Sequence, residues 1–425
     1  MKTPGGSRSA KYRERRVIAC FSSISIISSL FSWERGPLPL WVMLAASVLA
    51  LVSRGGTHRA RAATLFSTSE SSSIDFGTEY HVPVLCAEAV SWLITNPAGT
   101  YVDGTLGGGG HSAALLQVLA PNGGHLIGVD RDPEALATAG ARLVHHLETG
   151  HATLVRSNFG ALAGALRTVR GPDAPLLDGM LLDLGVSSHQ LNEPSRGFSF
   201  MRDGPLDMRM AQTATASGSD SSGYGGVQLE ARDAERARRA EPLTAATIVN
   251  QWDEKALADV LWKYGEERES RRIARSIVAA RPLHSTAELV EVLKTAGTKN
   301  YEPKEVRNRL SRVFQALRIE VNQEMAELEA VLLAAARLVR PGGRLAVMSY
   351  HSLEDRRVKR LLRSGSFGDG TPPKDAYGNE LAPWKPLTRQ AITPSEAELE
   401  VNSRARSVRL RVGERTEHEP PPVLK

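Results

Sequence analysis

The residues best placed to do chemistry stand where short apolar runs end in polar side chains. The first such place is Tyr101-Val-Asp-Gly-Thr-Leu-Gly-Gly-Gly-Gly-His111, an extended run that passes through glycines into a helix beginning near Ser112. Glycines permit positive φ and close approach of a ligand, and a helix start offers free N–H groups, so the segment suits an anionic or nucleoside-like ligand. The second is Asp130, 20 residues after Gly110 and at the end of the next apolar run. A doubly wound fold presents a carboxylate to ribose hydroxyls at that spacing. The third is Leu181-Leu-Asp-Leu-Gly-Val-Ser-Ser-His-Gln190, whose Asp183 either faces the same crevice or caps the following helix.

Together these point to a nucleoside cofactor, and NAD and S-adenosylmethionine both fit. The glycines at 104 and 107 to 110 miss the G-x-G-x-x-G register, since Ser112 stands where the third glycine belongs, which disfavours a dehydrogenase. No Walker lysine follows, which disfavours a nucleotide triphosphatase.

The elements that must position these residues alternate between strand and helix. Strands are expected at Tyr101 to Asp103, His125 to Asp130, Thr153 to Arg156, Gly179 to Leu184, Arg344 to Tyr350 and Ser407 to Val412, with helices such as Ser112 to Leu119 and Pro133 to Leu147 between them. This is a doubly wound α/β pattern. It breaks off after Asp207. Residues 211–240 are Ser/Gly/Thr/Ala-rich and then charged, with no apolar period, and read as a low-complexity insertion. A small all-helical domain is expected over 241–305, from Glu254 to Tyr264, Ser270 to Ala280 and Thr286 to Lys294. From Val306 to Val339 apolar residues recur every three or four positions, which predicts one long helix ending at Pro341-Gly342-Gly343 before the sheet resumes. The α/β domain is thus expected in two parts, 79–210 and 306–415, with a disordered tail over 416–425.

The 425 residues, with two cysteines and 41% apolar residues, exclude a disulfide scaffold, a fibrous repeat and a wholly disordered chain. The net charge of +6 sits mostly in the first 80 residues, which hold ten Lys/Arg and five Asp/Glu. RNA binding must therefore rest on local patches. Residues 1–78 read as an organelle-targeting segment, largely disordered: Ser/Arg-rich and acid-poor, with a 15-residue apolar run, Leu38 to Val52, too short to span a membrane. An apolar core followed by an Arg/Ser/Thr-rich stretch favours a plastid address, with a mitochondrial one as the alternative.

Leu181 to Gln190, followed by Arg196-Gly-Phe-Ser-Phe-Met-Arg-Asp-Gly-Pro-Leu-Asp-Met-Arg-Met210, closely resembles the small-subunit ribosomal RNA methyltransferase H family, also called MraW. Asp103-Gly-Thr-Leu-Gly-Gly-Gly-Gly-His-Ser112, Lys263-Tyr-Gly-Glu-Glu-Arg268, Phe314-Gln-Ala-Leu-Arg-Ile-Glu-Val-Asn322 and Ser349-Tyr-His-Ser-Leu-Glu-Asp-Arg356 resemble it in the same order. The resemblance implies a Rossmann-like class I methyltransferase with an inserted helical domain. It also implies S-adenosyl-L-methionine as cofactor and methyl transfer to N4 of a cytidine in the decoding region of small-subunit ribosomal RNA. The family's cofactor contacts fall on Gly109, Gly110, His111, Asp130, Phe159, Asp183 and Gln190. The insertion at 211–240 and the N-terminal address depart from the bacterial pattern, and the address implies an organelle ribosome as partner.

A cytosine amine is a poor nucleophile, so the site should offer an acceptor for its proton. The Asp/Asn-Pro-Pro-aromatic tetrapeptide of many amine methyltransferases is missing, because the strand end reads Asp183-Leu-Gly-Val. Asp183, the Ser187-Ser188-His189 loop and the Tyr350-His351-Ser352 turn, which includes His351, are the candidate acceptors. No metal is expected. RNA contacts are expected from Lys304, Arg307, Arg309, Arg312 and Arg318, from Arg356, Arg357, Lys359, Arg360 and Arg363, and from Arg404, Arg406, Arg409 and Arg411. Phe198 and Phe200 either stack on the target base or belong to the core. The competing readings are a methyltransferase with another substrate and a ribosome-assembly factor without strong activity.

Overall fold

A computed structural model describes residues 83–210, 243–296, 302–378 and 380–419. The targeting segment expected over 1–78 and the insertion expected over 211–240 lie outside the described residues.

Helix α1 (Cys86–Leu93) precedes β1 (Thr100–Asp103), α2 (Gly110–Leu119), β2 (His125–Asp130), α3 (Pro133–Arg142), α4 (Val144–Glu148), β3 (Ala152–Arg156), α5 (Leu162–Arg170), β4 (Leu177–Asp183) and α6 (Ser188–Asn192). Four helices follow: α7 (Ala245–Gln251), α8 (Glu254–Gly265), α9 (Ser270–Ala279) and α10 (Thr286–Thr295). The chain continues through α11 (Pro303–Asn322), α12 (Glu324–Leu338), β5 (Val339–Ser349), α13 (Ser352–Ser364), β6 (Trp384–Pro386), α14 (Glu396–Val401) and β7 (Arg409–Arg415). The sheet order is β3-β2-β1-β4-β5-β7-β6. Strands β1 to β5 run parallel, and β7 is antiparallel to both of its neighbours. Such an order is that of a doubly wound, Rossmann-like sheet with an antiparallel strand set beside β5, the fold that the resemblance implies.

The sheet is covered on both sides, so its central strands bury both faces and read as apolar runs rather than alternations. On one side Leu162, Leu166, Met325, Leu332, Val358 and Leu361 pack from α5, α12 and α13. Val90, Leu93, Leu115, Leu119 and Ala139 pack on the other side from α1, α2 and α3. A further apolar cluster joins α7 to α10, and it draws in Phe198, Leu206, Met208 and Met210 as well as Leu310, Val313, Phe314 and Leu317 of α11. The helical packing thus takes residues from either side of 241–305.

Several elements differ from the sequence reading. The stripe from Val306 to Val339 is two helices, because Gln323 sits in the left-handed region at φ 52° and breaks the hydrogen-bond ladder between α11 and α12. The periodic stripe survives the break because one half faces the helical cluster and the other the sheet. Pro341-Gly342-Gly343 does not stop a helix ahead of a strand. It lies inside β5, bulged out where pairing jumps from Leu177↔Val339 to Gly179↔Arg344. Pro133 to Leu147 divides at Leu143 into α3 and α4. Residues 416–418 are tied down rather than disordered, since Thr416 N–H donates to Pro383 O and the Arg415 guanidinium to His418 O.

Candidate active site

The glycine loop is built on Asp103, fully buried at the end of β1. Its carboxylate accepts from Thr105 N–H at 3.1 Å and from Ser112 Oγ at 2.7 Å, which ties the loop entrance to the first turn of α2. Burial pushes the Asp103 carboxyl above its usual range. Gly109 caps α2 at φ 77°, where a Cβ would press on Ala139 at 3.2 Å, so a side chain there is opposed by both backbone and packing. At the end of β2, Asp130 Oδ2 accepts from Gly107 N–H at 2.9 Å, so this acid and the glycine loop are one unit. Burial raises the Asp130 carboxyl against the pull of these backbone donors.

Asp183, at the end of β4, does not cap a helix. Its Oδ1 accepts from the Tyr350 hydroxyl at 2.8 Å, and its Oδ2 lies 3.6 Å from Nδ1 of His111. His111 donates its other ring nitrogen to Val84 O at 2.9 Å, which turns Nδ1 toward the carboxylate. The Asp183 side chain is 22% exposed, and burial raises its pKa despite His111 and Tyr350.

These groups line one crevice of about 630 Å³ with Gly110, His111, Asp130, Phe159, Asp183, Gln190 and His351. Gly109 stands behind the loop as the cap of α2. Gln190 is already engaged. Its amide donates to Asp132 Oδ2 at 3.0 Å and accepts from Ser187 N–H at 3.1 Å, so it shapes the wall. The crevice is also lined by Phe200, Phe314, Gln315, Arg318 and Asn322. Phe198 is 6% exposed and belongs to the core, whereas Phe200 is half-buried and meets Phe314 edge-on at 5.7 Å. The His351 ring is nine-tenths buried, and its Nε2 lies 3.1 Å from Glu354 Oε1.

The block from Arg196 to Met210 is a strap. Arg196 is 2% exposed and reaches Asp132 and Glu134, each at 3.2 Å, together with the carbonyl of Met210 at 2.7 Å. Asn322 accepts from Met210 N–H and donates to Met208 O, which pins the strap to α11. Sequence reasoning missed Asn322 as a site-forming residue, and it named Tyr350 only as part of a turn of candidate acceptors, not as the partner of Asp183. The signal for both was their place at the ends of resembling blocks.

The expected basic patches are largely consumed by internal ion pairs, which corrects the sequence reading. Arg309 pairs with Glu269, Arg312 with Glu267 and Arg318 with Glu324. Arg356 pairs with Glu266, Arg357 with Glu329 and Arg360 with Asp369, while Arg409 and Arg411 share Asp355. Acids that neutralise the global charge are the partners of these arginines. Lys304, Arg307, Lys359, Arg363 and Arg406 are exposed.

A cofactor with ribose and methionine parts fits this crevice. The glycine loop closes one side, Asp130 has acceptor lone pairs left for hydroxyls, and Phe159 offers an aromatic wall. The sequence pattern described as the MraW methylase family matches residues 78–221 and 234–416. The chain is 44% identical over 346 residues to the ribosomal RNA small subunit methyltransferase H of Acidiphilium cryptum, covering 79% of this chain and 97% of that protein. It is 44% identical over 343 residues to the protein of the same name from Chlorobaculum parvum, covering 79% and 98%, and 41% identical over 339 residues to that of Bacteroides thetaiotaomicron, covering 79% and 97%. The chain therefore belongs to the MraW methylase family: it is a methyltransferase, with S-adenosyl-L-methionine as its methyl donor.

Proposed function

We propose that the chain methylates N4 of a cytidine in the decoding region of small-subunit ribosomal RNA inside an organelle, a plastid in the first instance. The names of its relatives support the RNA substrate. The observation that carries the chemistry is Asp183, a partly exposed carboxylate between Tyr350 and His111 in the crevice that holds the glycine loop and Asp130.

S-adenosyl-L-methionine, when bound, supplies a methyl group on a sulfonium centre. The residues of the chain supply positioning and charge, which carry most of the effect in a displacement of this kind. Asp183 accepts a hydrogen bond from the N4 amine, draws electron density toward the nitrogen lone pair, and takes the proton as the N–C bond forms. Tyr350 fixes its rotamer by occupying Oδ1, and Oδ2, 3.6 Å from His111 Nδ1, is the oxygen left for the amine. A carboxyl raised by burial holds that proton better than a free aspartate does. Phe200 supplies an aromatic wall for the base.

The test uses chain lacking residues 1–78, labelled S-adenosyl-L-methionine and organellar small subunits, followed by nucleoside analysis of the RNA. N4-methylcytidine at one decoding-region position supports the reading, and label elsewhere or absent overturns it. The composition of residues 1–78 supports the address. That segment fused to a fluorescent protein is expected in plastids, and fluorescence in mitochondria or the cytosol overturns the plastid assignment.

A further inference from the structure

Glu324 begins α12 immediately after the break at Gln323, and His351 and Glu354 stand at the start of α13. One ligand atom from each of the three lies within 4.8 Å of the others, and all three side chains line the crevice. They are nearly buried, with side-chain exposures of 9% for Glu324, 10% for His351 and 3% for Glu354.

The His351 ring is the unexplained part. Neither nitrogen has an aligned hydrogen-bond partner, yet Nε2 stands 3.1 Å from Glu354 Oε1. Imidazole nitrogens and carboxylate oxygens bind a divalent ion at about 2.0–2.2 Å, so two such ligands roughly at right angles lie about 3 Å apart. The Glu354 Oε2 is held by the backbone N–H groups of Tyr350 and His351, which leaves Oε1 directed toward the ring. Arg318 takes one lone pair from each Glu324 oxygen at 2.8 Å and leaves the second on each available. Glu324 has Arg318 and Arg131 for counter-charges, and Glu354 has the His351 ring beside it. The crevice as a whole is lined by Asp130, Asp183, Glu324, Glu327 and Glu354 against Arg131, Arg142 and Arg318.

We propose that Glu324, His351 and Glu354 hold a divalent cation, of the class that accepts both imidazole and carboxylate, such as Mn²⁺ or Zn²⁺. Its open face meets an oxygen of the incoming nucleic acid and offsets the acidic lining that a polyanion otherwise confronts. The role toward nucleic acid rests on the function proposed above, but the cation site does not.

The test is Mn²⁺ binding to the full chain with neither RNA nor methyl donor present, followed by calorimetry and electron paramagnetic resonance, and repeated with Zn²⁺ by calorimetry. One site is expected, with a nitrogen coupling from an imidazole on Mn²⁺. Glu354→Gln and His351→Ala should each weaken binding at least tenfold, and His351→Ala should abolish the nitrogen coupling, while Glu329→Gln leaves both unchanged. No saturable binding of either ion, wild-type Mn²⁺ without nitrogen coupling, or undiminished affinity in both variants overturns the site. The nitrogen coupling is read on wild-type protein, so it decides the matter even if a variant fails to fold. Because no methyl transfer is read, failure of the proposed reaction leaves this result standing.

Discussion

The Tyr350 hydroxyl donates to Asp183 Oδ1 at 2.8 Å across 167 positions of sequence, joining the turn after β5 to the end of β4. A hydrogen bond to a charged group contributes about 1.5–3 kcal/mol, and 1.36 kcal/mol is tenfold in rate. Tyr350→Phe is therefore expected to lower kcat by about tenfold or more while leaving the dissociation constant for S-adenosyl-L-methionine nearly unchanged. Single-turnover kinetics beside calorimetric titration would separate the two, and an equal loss in both would place Tyr350 in cofactor binding instead.

Acidity acts on Asp183 in two opposite directions. Burial raises its pKa above that of the unfolded chain, so ionisation costs stability at neutral pH and the cost disappears as pH falls through the raised value toward the ordinary carboxylate range. Catalysis needs the carboxylate, so turnover falls over the same window. Asp183→Asn should be inactive, and its stability advantage over wild type should be largest at neutral pH and vanish in acid. Denaturant midpoints across pH would show this, and an advantage that grew in acid would contradict it.

Asp130 holds the glycine loop through Gly107 and is expected to hold the ribose. Asp130→Ala should weaken S-adenosyl-L-methionine by roughly 10- to 100-fold, given about 1.5–3 kcal/mol for hydrogen bonds to a charged group. Calorimetry would decide, and a change below threefold would remove Asp130 from the cofactor site.

Arg196 is expected to matter through stability. Its guanidinium is buried between Asp132, Glu134 and the Met210 carbonyl, and removing one partner of a buried ion pair costs about 3–5 kcal/mol. Arg196→Met should lower the urea midpoint accordingly. Lys359→Ala with Arg363→Ala, two exposed changes, should leave the midpoint alone and flatten the salt dependence of RNA affinity by about 1.4 in log–log slope, at about 0.7 per phosphate contact on a single strand.

The cofactor half of the site could be read from sequence because it depends on local chemistry. Strand, glycines, helix and a distant acid lie in a fixed order, so the glycine loop, Asp130 and Asp183 could be nominated without coordinates, and the fold brings Gly110, Asp130 and Asp183 to one crevice. What was hidden depends on pairing between remote segments. Arg309 looks like Lys304 in a string of letters, yet one is buried against Glu269 and the other faces water. Gln323 carries no mark of its left-handed backbone. The three-residue strand Trp384–Pro386 is too short for any periodicity to show. Phe159 was nominated from resemblance alone, since a phenylalanine after a strand is an ordinary residue until the crevice places it.

The strap ends at Met210, and the helical segment resumes near Leu243, yet the two flanks are stitched together: Ala246 N–H donates to Leu206 O at 2.6 Å and Ala245 N–H to Asp207 O at 3.0 Å. These bonds close the two flanks on each other, so a segment joined at this neck puts little strain on the described fold. Doubling a loop costs only about 0.6 kcal/mol. The junction is accordingly a natural port for a fluorophore, an affinity handle or a tethered guide, added to the enzyme without disturbing the strap that shapes its crevice.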